Sequence, residues 1–185
     1  MLRRGSCFLL LRWTVKKTSK IAYGAVFSAL CTVITVLGAL IETFDASLAV
    51  IAGFLVCIAL IEFETALSLG VWLVSSVISL VLFPFNSAAW MFVLFAGWYP
   101  IFKRRIERIH YVLAWAVKIS AFNVSMFAYW FVFTKVLMLD FGAEGMLLFG
   151  LLLAANLVFV LYDIVMTRLI TVYIFSWRNR LGFKN

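Results

Sequence analysis

The residues able to do chemistry in this chain are few, and most of them interrupt apolar sequence. Lys118 and Asp163 stand inside two long, nearly uncharged stretches, residues 111–139 and 145–177. A charge among apolar side chains is costly unless it is paired or hydrated. These two residues are therefore expected to form an ion pair within the membrane or to share one polar network. Lys135 and Arg168 lie nearer the ends of the same stretches, where a long side chain reaches the interface. Asn123 and Asn156 occupy the middles of the two stretches: at about 1.5 Å per helical residue, each lies some ~16–18 Å from an end. Two readings fit them, an amide pair joining the two helices or contact with a ligand.

On the expected outer side, Asn86, Trp90, Trp98, Tyr99, Tyr129 and Trp130 put amphipathic side chains near the loops that close the bundle. Trp and Tyr rings concentrate at membrane interfaces as a belt, and they also wall small-molecule pockets when a few polar groups accompany them. Asn86 and Trp90, spaced i, i+4, are the preferred pocket members. Asn86, Trp90, Asn123, Tyr129 and Asn156 together form the candidate substrate-binding set. No Walker-type GxxxxGK[ST], HExxH or GxSxG is present, and the one histidine, His110, adjoins a basic run. Cys7, Cys31 and Cys57 lack CxxC spacing, so they read as small hydrophobes rather than ligands. No catalysis, no cofactor and no metal is expected.

The elements that must position these residues follow from composition. Of 185 residues, 66% are hydrophobic and 13% charged, against about 45–50% and about 25% in soluble domains. A crossing needs roughly 20 apolar residues, which makes six crossings about the ceiling. Apolar stretches run over residues 21–41, 46–61, 65–85, 86–102, 111–139 and 145–177, separated by Glu42 and Asp45, Glu62 and Glu64, Pro84 with Asn86, the Lys103 to Arg108 cluster, and residues 140–145. The expected fold is all-α: a polytopic integral membrane protein with a six-helix bundle over residues 21–177, a basic interfacial arm over 1–20 and a basic tail over 178–185. Arg12 cuts the run after Arg3 and Arg4 too short for a signal-peptide core.

A net charge of +8 invites a nucleic-acid reading until its placement is considered. Thirteen of the sixteen basic residues fall in the arm, in residues 103–108 and in the tail, while the alternate loops around residues 42–45, 84–86 and 140–144 hold none. Lysine and arginine in short flanks mark the cytoplasmic side, so both termini are expected inside. The charges then serve the lipid surface, and no nucleic-acid partner is expected.

The first apolar stretch carries Gly24, Ala25, Ser28 and Ala29, two small-xxx-small pairs on adjacent strips of one helix face. Such a face admits close approach of another helix backbone, either within the chain or from a separate subunit. The run Ala22-Tyr-Gly-Ala-Val-Phe-Ser-Ala29, with the basic arm, the size and six helices with both ends inside, resembles the substrate-binding S components of energy-coupling factor (ECF) transporters. Gly97 to Glu107 is also similar to a stretch of uncharacterised bacterial membrane proteins of that type. In the S-component family an AxxxA-type face on the first helix contacts the coupling subunit, a role that carries over to Ala25 and Ala29. The resemblance implies capture of a small vitamin-like or metabolite solute at the outer face of a bacterial plasma membrane. It further implies partnership with a transmembrane coupling subunit and ATPase subunits. Substrate-contacting patterns of the riboflavin, thiamine, biotin and folate members are not found in this chain.

Two other classes compete. A non-catalytic scaffold similar to the rod-shape-determining proteins has comparable size and helix count, and would have a filled bundle. An intramembrane enzyme would need ionisable groups converging at one depth, and Lys118 with Asp163 is the only candidate pair.

Overall fold

The computed structural model describes residues 4–63, 65–107, 110–138 and 145–173, with side chains from Lys20 onward except at 42, 136 and 145–149. It is all-helical among the described residues: α1 (Arg4–Leu40), α2 (Asp45–Glu62), α3 (Thr65–Leu82), α4 (Ser87–Met91), α5 (Tyr99–Ile106), α6 (Tyr111–Phe131) and α7 (Gly145–Val172). Five helical spans are long and apolar enough to cross a membrane, Lys20–Leu40, Asp45–Glu62, Thr65–Leu82, Tyr111–Lys135 and Gly150–Val172. The chain is thus a multi-pass membrane protein. It forms two compact units, residues 1–101 and 102–185.

In the first unit, α1 packs on α2, α3 and α4. Its backbone is continuous from Arg4, since no proline interrupts residues 4–40, and the span able to cross a membrane within it is Lys20–Leu40. The core is made of small and medium side chains, Cys31, Ala49, Ala52, Val56, Leu60, Val71 and Ala96, closed by Phe92 and Ile101. Without a hydrophobic drive between helices in lipid, close backbone approach and buried hydroxyls supply the cohesion. On α3 the buried face is Ser68, Val71, Ser75, Ser76 and Ser79, and Thr35 Oγ1 lies 2.6 Å from Ser79 Oγ.

The stretch expected as one helix over residues 86–102 is instead broken into α4, a π-helical turn (Phe92–Ala96) and α5. In the π turn Gly97 N–H donates to Phe92 O at 2.8 Å. Pro100 has no N–H to give Ala96 O four residues back. That carbonyl lies against Gly53, 2.5 Å from where a Cβ on residue 53 would stand, so only glycine fits there. Gly97 is hemmed in by the indole of Trp72 in the same way. At the other boundary, α3 stops at Leu82 rather than residue 85, because Pro84 disfavours helical geometry at Phe83.

In the second unit α6 packs on α7, with Phe122 and Phe159 stacked at 4.6 Å between ring centroids. Helix α6 runs into a π turn (Val132–Val136), and Met138 follows with a φ of 53°. Of the expected break at residues 140–145, all but Gly145, which opens α7, lies outside the described residues, as does the tail 178–185.

Candidate functional site

Two places collect polar side chains, one in each unit. In the first unit a cavity of about 410 Å³ opens at the end where α1 and α3 finish and α2 and α4 begin. Gly38 and Ala39 of α1, Asp45 of α2, Leu82 of α3, the turn 83–86 and Ser87 line it. Asn86 is 6% exposed and is the N-cap of α4: its Oδ1 accepts from Ala88 N–H at 3.0 Å. Its Nδ2 donates to Thr35 O at 2.7 Å. One amide thereby ties the start of α4 to α1, and through Thr35 and Ser79 to α3. Trp90 is not part of the lining. Its Nε1 donates to Pro84 O at 2.7 Å, bracing the turn that carries Phe83 and Phe85.

The second place is a cluster of charges in the second unit. Lys103 Nζ donates to Asp163 Oδ1, to Asp163 O at 3.1 Å and to Thr167 Oγ1 at 2.8 Å. Lys118 Nζ donates to Asp163 Oδ2 at 3.1 Å and to Glu107 Oε1 at 3.2 Å. Glu107 Oε1 is also 3.2 Å from Lys103 Nζ, an i, i+4 pair. Lys118 further sits 5.4 Å from the centroid of the Trp115 ring, close enough for cation–π attraction. Lys103, Lys118 and Asp163 are 2%, 4% and 3% exposed, whereas the Glu107 side chain is 46% exposed. Two ammonium groups and two carboxylates sum to zero charge. That balance offsets the several kcal/mol per ion that removal from water costs. A cleft of about 360 Å³ borders the cluster, walled also by Tyr111, Trp115, Thr167 and Arg168.

Sequence reasoning placed Lys118 with Asp163 and missed Lys103, which it counts among the cytoplasmic charges. The signal was present: Glu107 follows Lys103 by one helical turn, while Arg104 and Arg105 between them face outward. Asn123 and Asn156 are joined in both directions, Nδ2 to Oδ1 at 3.0 and 3.1 Å. Each amide spends its remaining N–H on its own helix, at Ile119 O (2.9 Å) and Leu152 O (2.8 Å). Tyr129 is half-buried with its ring 4.5 Å from Phe133. The candidate binding set therefore divides, with Asn86 and Trp90 in the first unit and Asn123, Tyr129 and Asn156 in the second. Asp45 belongs to the first cavity, although sequence reading took it only as punctuation between apolar runs.

The small residues of α1 divide as well. Gly24 and Ser28 are buried, Gly24 against Leu67, with Ser28 Oγ donating to Gly24 O at 2.9 Å. Ala25 and Ala29 are exposed. Comparison with known proteins adds nothing to this geometry, because no family model, curated protein or solved structure matches the chain.

Proposed function

We propose that this chain is a non-catalytic, membrane-embedded solute-binding subunit of an ECF-type uptake system in a bacterial plasma membrane. It captures a small vitamin-like or metabolite solute from outside and docks on a coupling subunit driven by separate ATPases. The observation that carries the reading is the cavity of about 410 Å³ at the Asp45 end of the first unit, within the roughly 300–1,000 Å³ typical of small-molecule sites. Basic residues are missing from its flanking loops and gather before residue 21 and at residues 103–108, so the inside-positive rule favours the cavity outside with both termini in the cytoplasm. In this reading residues 87–106 make the sixth crossing as a broken helix. Irregular backbone at membrane depth is tolerated where protein or a cavity covers it. The strip Ala25–Ala29 remains on the outside of its unit for the coupling subunit, as the S-component resemblance implies.

The test is mass spectrometry of small molecules retained by the detergent-purified chain, alongside Ala39→Trp, which puts an indole into the cavity wall. A solute retained by the parent and lost from a folded Ala39→Trp supports the reading; no solute, or one indifferent to Ala39→Trp, contradicts it. The scaffold alternative draws on a different observation, the mutual saturation of Asn123 and Asn156, which leaves that pair as helix glue. It requires a chain that retains nothing.

A further inference from the structure

The charge pattern of the first unit says what kind of solute its cavity takes. Residues 21–102 contain no lysine and no arginine, while Glu42, Asp45, Glu62 and Glu64 are all acidic. Among the described residues that line the cavity, Asp45 is the one with a formal charge. Its Oδ1 and the Oδ1 of Asn86 flank Gly38, lying 3.5 and 3.6 Å from where a Cβ on residue 38 would stand. Both atoms are acceptors. One N–H of the Asn86 amide is drawn to Thr35 O at 2.7 Å. Ser87 adds a hydroxyl-bearing side chain to the lining. The remaining walls are apolar or aromatic, with Phe83 40% and Phe85 67% exposed.

We infer that the cavity selects an organic monocation, an amine or quaternary ammonium whose charge meets Asp45 and whose apolar part lies on Phe83 and Phe85. This rests on the reading of the chain as a solute-binding subunit and adds the substrate class. An anion would face a carboxylate across a partly desolvated cavity with no basic side chain in its walls, which is unfavourable at any orientation. A bare divalent ion takes six or more oxygens, whereas one carboxylate and one amide oxygen supply few. A cation with its own apolar surface uses the groups the walls offer: the carboxylate by charge, the rings by cation–π attraction and, where the cation is an amine carrying N–H, the amide oxygen by hydrogen bonding.

The experiment is a thermal-shift and calorimetric titration of the full chain, purified in detergent, with three ring-matched probes: benzyltrimethylammonium, benzyl alcohol and benzoate. Benzyltrimethylammonium is expected to raise Tm in a saturable way and the other two are not. Asp45→Asn should weaken the cation by about thirtyfold or more, as expected when one partner of a buried charge pair is truncated, and Asp45→Glu should retain most of it. Since residue 45 opens α2, Ala39→Lys provides a second route: a lysine in the lining should abolish the cation's effect while Asp45 stays in place. Equal or better binding of benzoate or benzyl alcohol, or a cation effect indifferent to both Asp45→Asn and Ala39→Lys, overturns the inference. A retained native solute that is neutral or anionic, and lost in Ala39→Trp, overturns the charge class while leaving the solute-binding reading intact. Absence of any retained solute together with three inert probes overturns both.

Discussion

Lys103 bonds both the carboxylate and the backbone carbonyl of Asp163, sixty positions away, and is only 2% exposed in doing so. The same carboxylate takes Lys118 on its other oxygen. Asp163 is therefore the point through which α5, α6 and α7 are held.

Removing that carboxylate leaves two buried ammonium groups with the half-exposed Glu107 as the carboxylate they share among the described residues. Asp163→Ala is expected to cost about 3–5 kcal/mol, the usual penalty for an uncompensated buried charge, read as a loss of Tm and of monodisperse protein in detergent. The combination Lys103→Met, Lys118→Met and Asp163→Leu should recover most of that loss, because apolar replacement of a whole buried ion cluster is often neutral. Glu107→Gln should cost no more than about 1 kcal/mol, in line with exposed pairs. A triple variant no better than Asp163→Ala contradicts this assignment.

The reciprocal bonds of Asn123 and Asn156 predict coupling rather than two independent contributions. Each single change to Leu is expected to cost about 0.6–1.7 kcal/mol, the range for hydrogen bonds between membrane helices. The double change should cost little more than one single, measured by reversible unfolding in detergent or bicelles. Additive costs would mean the amides do separate work.

Glycines at close backbone contacts should be far less replaceable than glycines in open space. Gly53→Ala drives a methyl into Ala96 O, and Gly97→Ala into the Trp72 ring; each is expected to cost about 1–3 kcal/mol by overpacking. Gly70 has nothing within 4 Å of an added Cβ, so Gly70→Ala should be neutral or stabilising, helix propensity favouring alanine by about 1 kcal/mol. Comparative Tm values check the set.

The division of the α1 strips predicts opposite outcomes for neighbouring residues. Gly24→Trp should unfold the first unit, because Gly24 is buried against Leu67. Ala25→Trp should leave Tm unchanged, because Ala25 is exposed, and should abolish co-purification with a coupling subunit co-expressed from the same cell. Intact co-purification of Ala25→Trp removes the docking role from this strip.

What the sequence disclosed and what it withheld divide along physical lines. Long apolar stretches bounded by charge and proline announce membrane helices, so five of the stretches correspond to helices that need little correction beyond their ends. Residues 86–102 read as a sixth helix because hydropathy averages over backbone geometry. The break depends on Pro100 withholding one N–H and on Gly53 and Trp72 lying across from residues 96 and 97, which are long-range facts. Lys118 and Asp163 could be paired from the sequence because unpaired charge in an apolar stretch demands a partner. Lys103 differs from Arg104 and Arg105 in the sequence only by its i, i+4 spacing from Glu107, a signal that carries little weight until the helix phase is known. Asn86 and Trp90 part company: the sequence marks both as pocket members, and the structure sets Asn86 in the cavity wall as the cap of α4 while Trp90 braces the turn beside it.

The measurement that bears most directly on the account is cysteine accessibility in intact cells. In a background with Cys7, Cys31 and Cys57 replaced, a single cysteine at Phe85 beside the cavity and one at Arg105 are each treated with a membrane-impermeant maleimide. The account predicts labelling of Phe85→Cys in intact cells, and of Arg105→Cys only after the membrane is opened. Labelling of Arg105→Cys from outside, with Phe85→Cys protected until permeabilisation, would put the cavity in the cytoplasm and contradict solute capture from the exterior.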